Sequence, residues 1–347
     1  MLNKGCFNNM LKIKPDYYDK FKCLKGKCPS SCCEKWQVVI DKDTLDYYNS
    51  LQSDFGKRLR GEIVFSDGDS CFKIHSGRCA FLNSENLCDI HCNLGQNHMA
   101  KTCVKYPDFT VGNHTVTVCG QSISCPYVAE EIICNRDKVV FLKEGNKEND
   151  KYENHFCDIW FSLINIAQSS SLSIEEKIQS LFEEGLRLQK SLSDEFCIEG
   201  VFFPEDSKGL SHWCDTLSCL EYLTDEWKNL VEKLCVFAAQ GEENIIKEKE
   251  RFAEYINDRE YEYSNILVYF LYRYFMEYLG EGDVILPLRF AVYSTRVIYS
   301  MGVMIYSEKS KFTTDDQIKL CYLFGKEIEH SQSNLDSIFD DLSLGMI

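Results

Sequence analysis

Cysteine content constrains this chain more than any other feature of its sequence. Nineteen cysteines occur among 347 residues, and thirteen of them lie in residues 1–142. Disulfides at this density are typical of short secreted domains, whereas this chain is long and its first residues lack the apolar core of a secretory signal. We therefore expect a cytoplasmic protein with reduced thiols, and clustered thiols in that setting indicate metal binding or catalysis.

The first cysteine cluster is the stretch FKCLKGKCPSSCCEKW, which contains Cys23, Cys28, Cys32 and Cys33. Thiolate sulfur is a soft ligand that suits iron-sulfur clusters, zinc and copper(I). Close spacing on a single loop lets several sulfurs converge on one centre. A disulfide between neighbouring cysteines requires strained geometry, so we expect at most one of Cys32 and Cys33 to bind metal while the other packs as a small apolar residue.

A second group of cysteines follows in three short motifs. The stretch CAFLNSENLCDIHCNLG carries Cys79, Cys88 and His91, TCVKYP carries Cys103, and SISCP places Cys125 before a proline, as in ferredoxin-type loops. His91 is the strongest histidine candidate, either as a ligand that would favour zinc or as a hydrogen-bonded, partly buried side chain. Together the two groups supply one or two metal sites. The predicted metal ligands are Cys23, Cys28, Cys32, Cys33, Cys79, Cys88, Cys103 and Cys125.

The polar segment KEGNKENDKYEN at 143–154 lacks apolar periodicity and predicts a connection between two domains. Before it, short β-branched runs at 36–41, 114–118 and 138–142 predict small strands. We therefore expect a cysteine-rich metal domain of loops, short strands and helices at 1–142, followed by a mainly helical domain at 155–347. The fold class predicted for the whole chain is α+β.

Apolar residues after this segment recur at helical spacing. Such stripes run from Ile174 to Leu188, from Trp213 to Leu234 and from Ile266 to Tyr278, and we interpret them as core faces of helices. The apolar stretch 290–306 contains an arginine and several hydroxyl residues and is too short and polar to span a bilayer. We expect a buried helix there and leave peripheral membrane contact open.

Charge is divided unevenly along the chain. Residues 1–142 carry 18 basic and 16 acidic side chains, and the remaining residues have a net charge of −18. An acidic surface repels nucleic acid and attracts a cationic partner, such as a protein that presents lysines. A solvated face that aids solubility explains the same charge.

The motifs FKCLKGKCPSSCCEKWQVVIDKDT, CAFLNSENLCDIHCNLG, TCVKYP and SISCPYVAEEI, in this order, resemble the FliB-like flagellin lysine-N-methylase family, whose cysteine-rich part is similar to zinc- or iron-chelating proteins. The resemblance covers roughly the first 135 residues. In the tail it rests on ILVYFLYRYFMEYLGEGDV and KEIEHS. It implies transfer of a methyl group from S-adenosylmethionine to lysine ε-amines of flagellin, and a 4Fe-4S cluster held by the cysteines.

The chain departs from the family pattern at two positions, where Asp108 and Lys326 replace arginines. Lysine does not reproduce the bidentate contact that an arginine makes with a carboxylate. The CxxxCxxC signature of radical chemistry is also absent, because Lys35 occupies its third cysteine position. Polar methyl transfer requires a group that accepts or orients the proton of the lysine amine. Weak catalytic candidates are Glu327, Glu329 and His330, and exposed helix charges are the alternative interpretation of these residues.

The sequence thus predicts a cytoplasmic protein-lysine methyltransferase that uses S-adenosylmethionine and an iron-sulfur cluster, with flagellin or another lysine-bearing protein as its partner. The alternative is a non-enzymatic iron-sulfur or zinc-binding protein that senses metal or redox state and binds partners through its helices. Residues that bind S-adenosylmethionine are not identified from the sequence.

Overall fold

A computed structural model describes residues 11–66, 68–113, 115–145, 150–196 and 209–343 of the chain. The strands are β1 Leu11–Pro15, β2 Ile63–Ser66, β3 Asp69–Phe72, β4 Ile74–His75, β5 Arg78–Cys79, β6 Asp108–Gly112, β7 Val116–Gln121 and β8 Phe141–Glu144. The first helices are α1 Lys42–Ser50, α2 Asp54–Gly61, α3 Asp89–Leu94, α4 Lys101–Lys105 and α5 Pro126–Ile133. The later helices are α6 Lys151–Ala167, α7 Ile174–Phe196, α8 Leu210–Cys219, α9 Asp225–Ala238, α10 Glu242–Tyr255, α11 Tyr261–Tyr274, α12 Ile285–Lys309, α13 Thr314–Glu329 and α14 Gln332–Ser343. This arrangement confirms the predicted α+β class with a helical carboxy-terminal region.

The largest sheet has the strand order β6-β7-β1-β8. Strands β6 and β7 form an antiparallel hairpin, β1 runs parallel to β7 with Ile13 opposite Val118, and β8 closes the other edge. The runs predicted at 114–118 and 138–142 contribute to β7 and β8, although His114 lies outside the described residues. The run at 36–41 was predicted as a strand and forms only one isolated bridge, from Val39 to Cys71. Hydrogen bonds to β3 nevertheless keep this stretch extended.

Two separate hydrophobic cores are present. In the described part of the chain, the buried side chains of the smaller core lie between Val38 and Ala100 and include Tyr48, Phe72 and Phe81. Helix α1 begins at Asp41, whose carboxylate accepts a hydrogen bond from the Thr44 backbone N–H, and α2 begins in the same way at Ser53. Short helices with such caps hold the cysteine-rich loops against this core.

The larger core contains residues of the main sheet and of α5 together with the long helices. Ile13, Val118 and Ala129 therefore pack in the same core as residues of α6 to α14. Of the connection predicted at 143–154, residues 146–149 lie outside the described ranges, and the flanking residues complete β8 and begin α6. The division of the chain into two domains at this segment stays a prediction.

Helix α12 lies at the centre of the helical region, against α7, α9, α10, α11, α13 and α14. It includes the apolar stretch at 290–306, which is buried as predicted. Across the described ranges, no helix is both long and apolar enough to cross a bilayer. The stripe from Trp213 to Leu234 was predicted as one face but belongs to two helices, because Thr224 caps the start of α9.

Candidate functional site

The first cysteine cluster lies on an irregular loop that is held by local hydrogen bonds. The Cys28 thiol donates to the Ser30 carbonyl (3.3 Å), and the Trp36 indole N–H donates to the Cys32 carbonyl (2.9 Å). The Cys33 carbonyl accepts from the Cys79 backbone N–H (2.8 Å), which joins the two cysteine groups predicted from the sequence. Residues 28–33 are called the cysteine loop below.

Two cysteines of the second group lie directly before helices. Cys88 precedes α3 and Cys125 precedes α5. Burial raises the pKa of the Cys125 thiol to about 11, and the nearby backbone N–H groups of Val128 and Tyr127 counteract only part of this effect. Burial likewise raises the pKa of Cys79 to about 11. Burial therefore keeps both thiols protonated at neutral pH, and a bound metal would have to displace these protons because the thiolate is the form that binds metal.

Six of the eight predicted ligands share one neighbourhood around Cys32. Burial raises the pKa of the Cys103 thiol, and the nearby thiols of Cys88, Cys79 and Cys32 raise it further. On the other side of Cys32, the Cys125 thiol lies near those of Cys28 and Cys32. The structure therefore brings together thiols that are up to about one hundred residues apart in sequence.

The two other predicted ligands are placed differently. Cys33 is hydrogen-bonded through its thiol to Cys32, and this bond is the main cause of the raised pKa of Cys32. Cys23 is exposed at the edge of the group and accepts the Lys25 backbone N–H (3.4 Å). His91, the histidine candidate, is exposed on α3. None of the seventeen cysteines in the described part of the chain forms a disulfide.

The described donor side chains are not arranged around a single point. Among the residues that the structure describes, no three cysteine, histidine, aspartate or glutamate side chains converge to hold one metal ion. A structural zinc site needs four donors at about 2.0–2.3 Å from one ion, so the described donors do not match such a site. The thiol-only composition of the group fits the chemistry of an iron-sulfur cluster. The assignment of the eight cysteines as metal ligands stays a prediction.

The end of α13 contacts the cysteine loop. The buried Lys326 ammonium donates to the Ser30 hydroxyl (2.7 Å) and to the Ser31 carbonyl (2.9 Å). Burial lowers the pKa of Lys326, while the thiols of Cys28 and Cys32 act in the opposite direction. The lysine that replaces a family arginine thus ties the helical region to the cysteine loop. Asp108 occupies the other position where the chain lacks a family arginine. Its carboxylate accepts a hydrogen bond from Gln121 (3.0 Å) across the β6-β7 hairpin.

His330 follows directly after α13 and takes part in a polar network. Its Nε2 atom lies 2.8 Å from the Ser124 hydroxyl, which is 3.1 Å from the Tyr106 hydroxyl. The Trp36 ring packs edge-on against the imidazole at 4.5 Å between centroids. Burial, and then the charge of Lys326, lowers the pKa of His330 to about 4, so the imidazole is neutral at neutral pH.

Glu329 connects this network to the opposite side of α13. Its carboxylate accepts hydrogen bonds from the Ser122 hydroxyl and from the Tyr269 hydroxyl, the latter at 2.6 Å. The Ser122 and Ser124 hydroxyls are 2.6 Å apart, so Glu329 and His330 belong to one chain of hydrogen bonds. Burial raises the pKa of the Glu329 carboxyl. A carboxyl group with a raised pKa is suited to accept a proton.

Glu327, the third catalytic candidate, has a structural role. Its fully buried carboxylate accepts from the Leu223 N–H (2.7 Å) and the Thr224 hydroxyl (2.5 Å) at the start of α9. None of the three candidates is an exposed helix charge, which was the alternative interpretation. His330 contacts Trp36, which is hydrogen-bonded to the cysteine loop, and Glu329 joins the same network through Ser122. Glu327 instead contacts the start of another helix.

The profile of the FliB lysine N-methylase C-terminal domain matches residues 161–344, which is more than half of the chain. The chain belongs to the FliB lysine N-methylase family. The matched FliB domain includes Arg273, Lys326, Glu329 and His330 but does not extend to the predicted cysteine ligands.

The names of similar proteins are consistent with membership of the FliB family. The chain is 26% identical over 178 residues to proteins named Lysine-N-methylase from Salmonella typhimurium and Salmonella choleraesuis, which is 46% of this chain and 43% of each relative. It is 25% identical over 133 residues to the Flagellar biosynthetic protein FliU of Salmonella muenchen, which is 36% of this chain and 78% of that protein. The chain thus matches less than half the length of the two lysine-N-methylases. No solved structure matches it.

Proposed function

We propose that this chain transfers methyl groups from S-adenosylmethionine to the ε-amines of protein lysines, with flagellin as its substrate. The match of residues 161–344 to the FliB lysine N-methylase domain carries this proposal. The relatives named Lysine-N-methylase and Flagellar biosynthetic protein FliU support a lysine acceptor and a connection with the flagellum. A reducing cytoplasm is proposed as the location, since it would keep the many free thiols reduced.

The polar network at the end of α13 supplies the acid-base chemistry in this proposal. The lysine nitrogen attacks the methyl carbon, a carbon–nitrogen bond forms, the carbon–sulfur bond of the sulfonium breaks, and S-adenosylhomocysteine leaves. The nitrogen releases a proton, and Glu329 is our candidate to accept it, because burial raises the pKa of its carboxyl. Neutral His330 holds Ser124 and through it the Ser122 hydroxyl that contacts Glu329.

We also propose that the thiols of the shared neighbourhood hold an iron-sulfur cluster. The residues that would bind it are among Cys28, Cys32, Cys79, Cys88, Cys103 and Cys125. A bound cluster supplies one-electron chemistry and cross-links the loops that carry its ligands. Lys326 positions the cysteine loop through Ser30 and Ser31 and so connects this group to the end of α13.

The cluster is tested by purification without oxygen. We expect brown protein that contains iron and acid-labile sulfide, and we expect the Cys32→Ser variant to lose most of both. Cys134→Ser, which changes an exposed cysteine outside the group, serves as the control and should retain them. Colourless wild-type protein with stoichiometric zinc, after expression with ample iron, would instead support a zinc-binding protein.

The methylation function is tested in the cell that encodes this chain. Flagellin from cells with the gene should carry methylated lysines, and flagellin from cells without it should have the unmodified mass. Restoring the wild-type gene should restore the modification. Unchanged lysine methylation after removal of the gene contradicts the proposed substrate, and it would favour the non-enzymatic metal-binding alternative.

A further inference from the structure

A cleft of about 500 Å³ lies between the end of α11 and α14, and Glu329 forms part of its lining. Its volume falls within the about 300–1,000 Å³ typical of small-molecule sites. The lining side chains include one arginine, several carboxylates and aromatic rings, namely Arg273, Tyr274, Glu277, Glu329, Asp336 and Phe339. Of the residues predicted from the sequence to form the site, Glu329 lines this cleft.

Arg273 is held rigidly at the wall of the cleft. Its guanidinium lies 4.2 Å from the Phe109 ring centroid and 4.7 Å from that of Tyr274. One terminal nitrogen donates to Glu277 (2.7 Å), whereas the buried Nε atom has no hydrogen-bond partner among the described residues. A guanidinium presents five N–H donors in a planar fork that matches a carboxylate. The packing therefore fixes this fork and leaves donors available.

Tyr274 provides a second, independent observation. This side chain is 1% exposed and lines the cleft, and its hydroxyl has no hydrogen-bond partner within the described part of the chain. A buried polar group without a partner is unfavourable, and a polar ligand would satisfy it. The cleft also carries negative charge, because the carboxylates of Glu329, Asp336 and Asp340 line it together with Arg273. The cleft thus offers one fixed cation and several anions.

We propose that this cleft binds the amino-acid end of S-adenosylmethionine, with Arg273 contacting the carboxylate and the acidic side chains facing the ammonium and the sulfonium. This assignment rests on the proposed function. A lysine side chain within a protein carries no carboxylate and would leave the Arg273 donors unused. S-adenosylmethionine carries one carboxylate and two positively charged groups. Its carboxylate can therefore pair with Arg273, and its ammonium and sulfonium can face the acidic side chains of the cleft.

The position of the cleft suits methyl transfer. Glu329 lines the cleft and accepts hydrogen bonds from Tyr269 and Ser122 on its other side. A donor bound at Arg273 would thus lie next to the carboxylate proposed to accept the lysine proton. Arg273 is a positioning and binding residue in this arrangement, and it does not take part in proton transfer.

Isothermal titration of the full chain with three compounds tests the proposal. S-adenosylmethionine and S-adenosylhomocysteine contain the amino-acid end, and 5′-methylthioadenosine lacks it. We expect Arg273→Lys to weaken binding of the first two on the order of tenfold to a hundredfold and to change binding of the third little. Asp336→Asn, on the exposed face of α14, should weaken the same two compounds and leaves the core intact. Arg251→Lys, a surface arginine paired with Glu248, is the matched control and should bind like wild type.

The outcomes separate this cleft from the proposed function. Wild-type affinity for S-adenosylmethionine in both Arg273→Lys and Asp336→Asn overturns the cleft assignment and leaves the methylation proposal in place. Equal affinity of wild-type protein for 5′-methylthioadenosine and S-adenosylhomocysteine overturns it as well. Failure of wild-type protein to bind any of the three compounds contradicts both the cleft and the proposed methyl donor.

Discussion

At the scale of single residues, Lys326 is the side chain that joins the two parts of the site. It is buried, and its two hydrogen bonds reach Ser30 and Ser31, almost three hundred residues earlier in the chain. The sequence marked this position only as a departure from a family arginine. Proximity over such a separation depends on how the sheet and helices pack, and no local pattern of residues encodes it.

Removal of the Lys326 ammonium should loosen the cysteine loop. Lys326→Met leaves the Ser31 carbonyl without a donor, and we expect the free energy of unfolding to fall by about 1–3 kcal/mol. Hydrogen exchange of residues 28–33 should become faster. Lys319→Met changes a half-exposed lysine of the same helix, paired with Glu226, and should alter unfolding by less than about 1 kcal/mol. Equal rates of hydrogen exchange for residues 28–33 in the two variants would show that Lys326 does not hold the cysteine loop in place.

At the same scale, Glu327 shows what sequence reasoning could and could not supply. The acidic candidates were found because KEIEHS resembles the family tail, but their roles depend on which helix each carboxylate faces. Thr224 followed by Asp225 and Glu226 is a recognisable signal for a helix start. This signal predicts the break between α8 and α9, yet it does not reveal that Glu327 is the partner of that start.

At the scale of elements, α13 packs closely on the segment before α5. A Cβ atom at Gly325 would lie 2.7 Å from the Ser124 backbone nitrogen, so no larger residue fits there without movement. We expect Gly325→Ala to destabilise the protein by about 1–3 kcal/mol through overpacking. Gly280→Ala meets nothing within 4 Å and is the matched control, expected to be neutral. Urea unfolding measures both, and equal stability of the two variants would show that α13 can move away from this segment.

The stability that Asp41 contributes at the start of α1 should depend on pH. Burial raises the pKa of Asp41, but hydrogen bonds from Lys101 and Thr44 outweigh it, and the net pKa lies well below its usual value. This depression stabilises the folded state above the unfolded pKa of about 3.9, and the contribution is lost as pH falls below it. The amide of Asp41→Asn retains the cap but loses the charge, so this variant should be less stable than wild type by roughly 0.3–1 kcal/mol at pH 7, with a smaller difference at pH 3.

The control for this titration is Asp46→Asn, which changes an exposed carboxylate on the same helix. Its unfolding curves should follow those of wild type at both pH values. Urea midpoints at pH 7, 5 and 3 give the comparison. A difference between Asp41→Asn and wild type that stays constant across this range would show that the charge of Asp41 does not stabilise the cap.

At the scale of the whole molecule, local patterns predicted the helical carboxy-terminal region, the buried α12 and the presence of short strands and helices in the amino-terminal part. They missed that the main sheet shares one core with the long helices, because β1 pairs with β7 more than one hundred residues later. They also missed Arg273, although an arginine within the apolar stripe of α11 is a signal for a buried functional group. The cleft it lines forms only when α14 packs beside α11.

The central claim is that this chain moves a methyl group from S-adenosylmethionine to a lysine of flagellin. The most direct measurement uses S-adenosylmethionine with a deuterated methyl group, protein purified without oxygen, and flagellin from the same cell. Peptide mass spectrometry should find the deuterated methyl on lysine ε-nitrogens with wild-type protein and much less with Arg273→Lys. Absence of label on every flagellin lysine, with protein that binds S-adenosylmethionine and contains its cluster, would contradict the account.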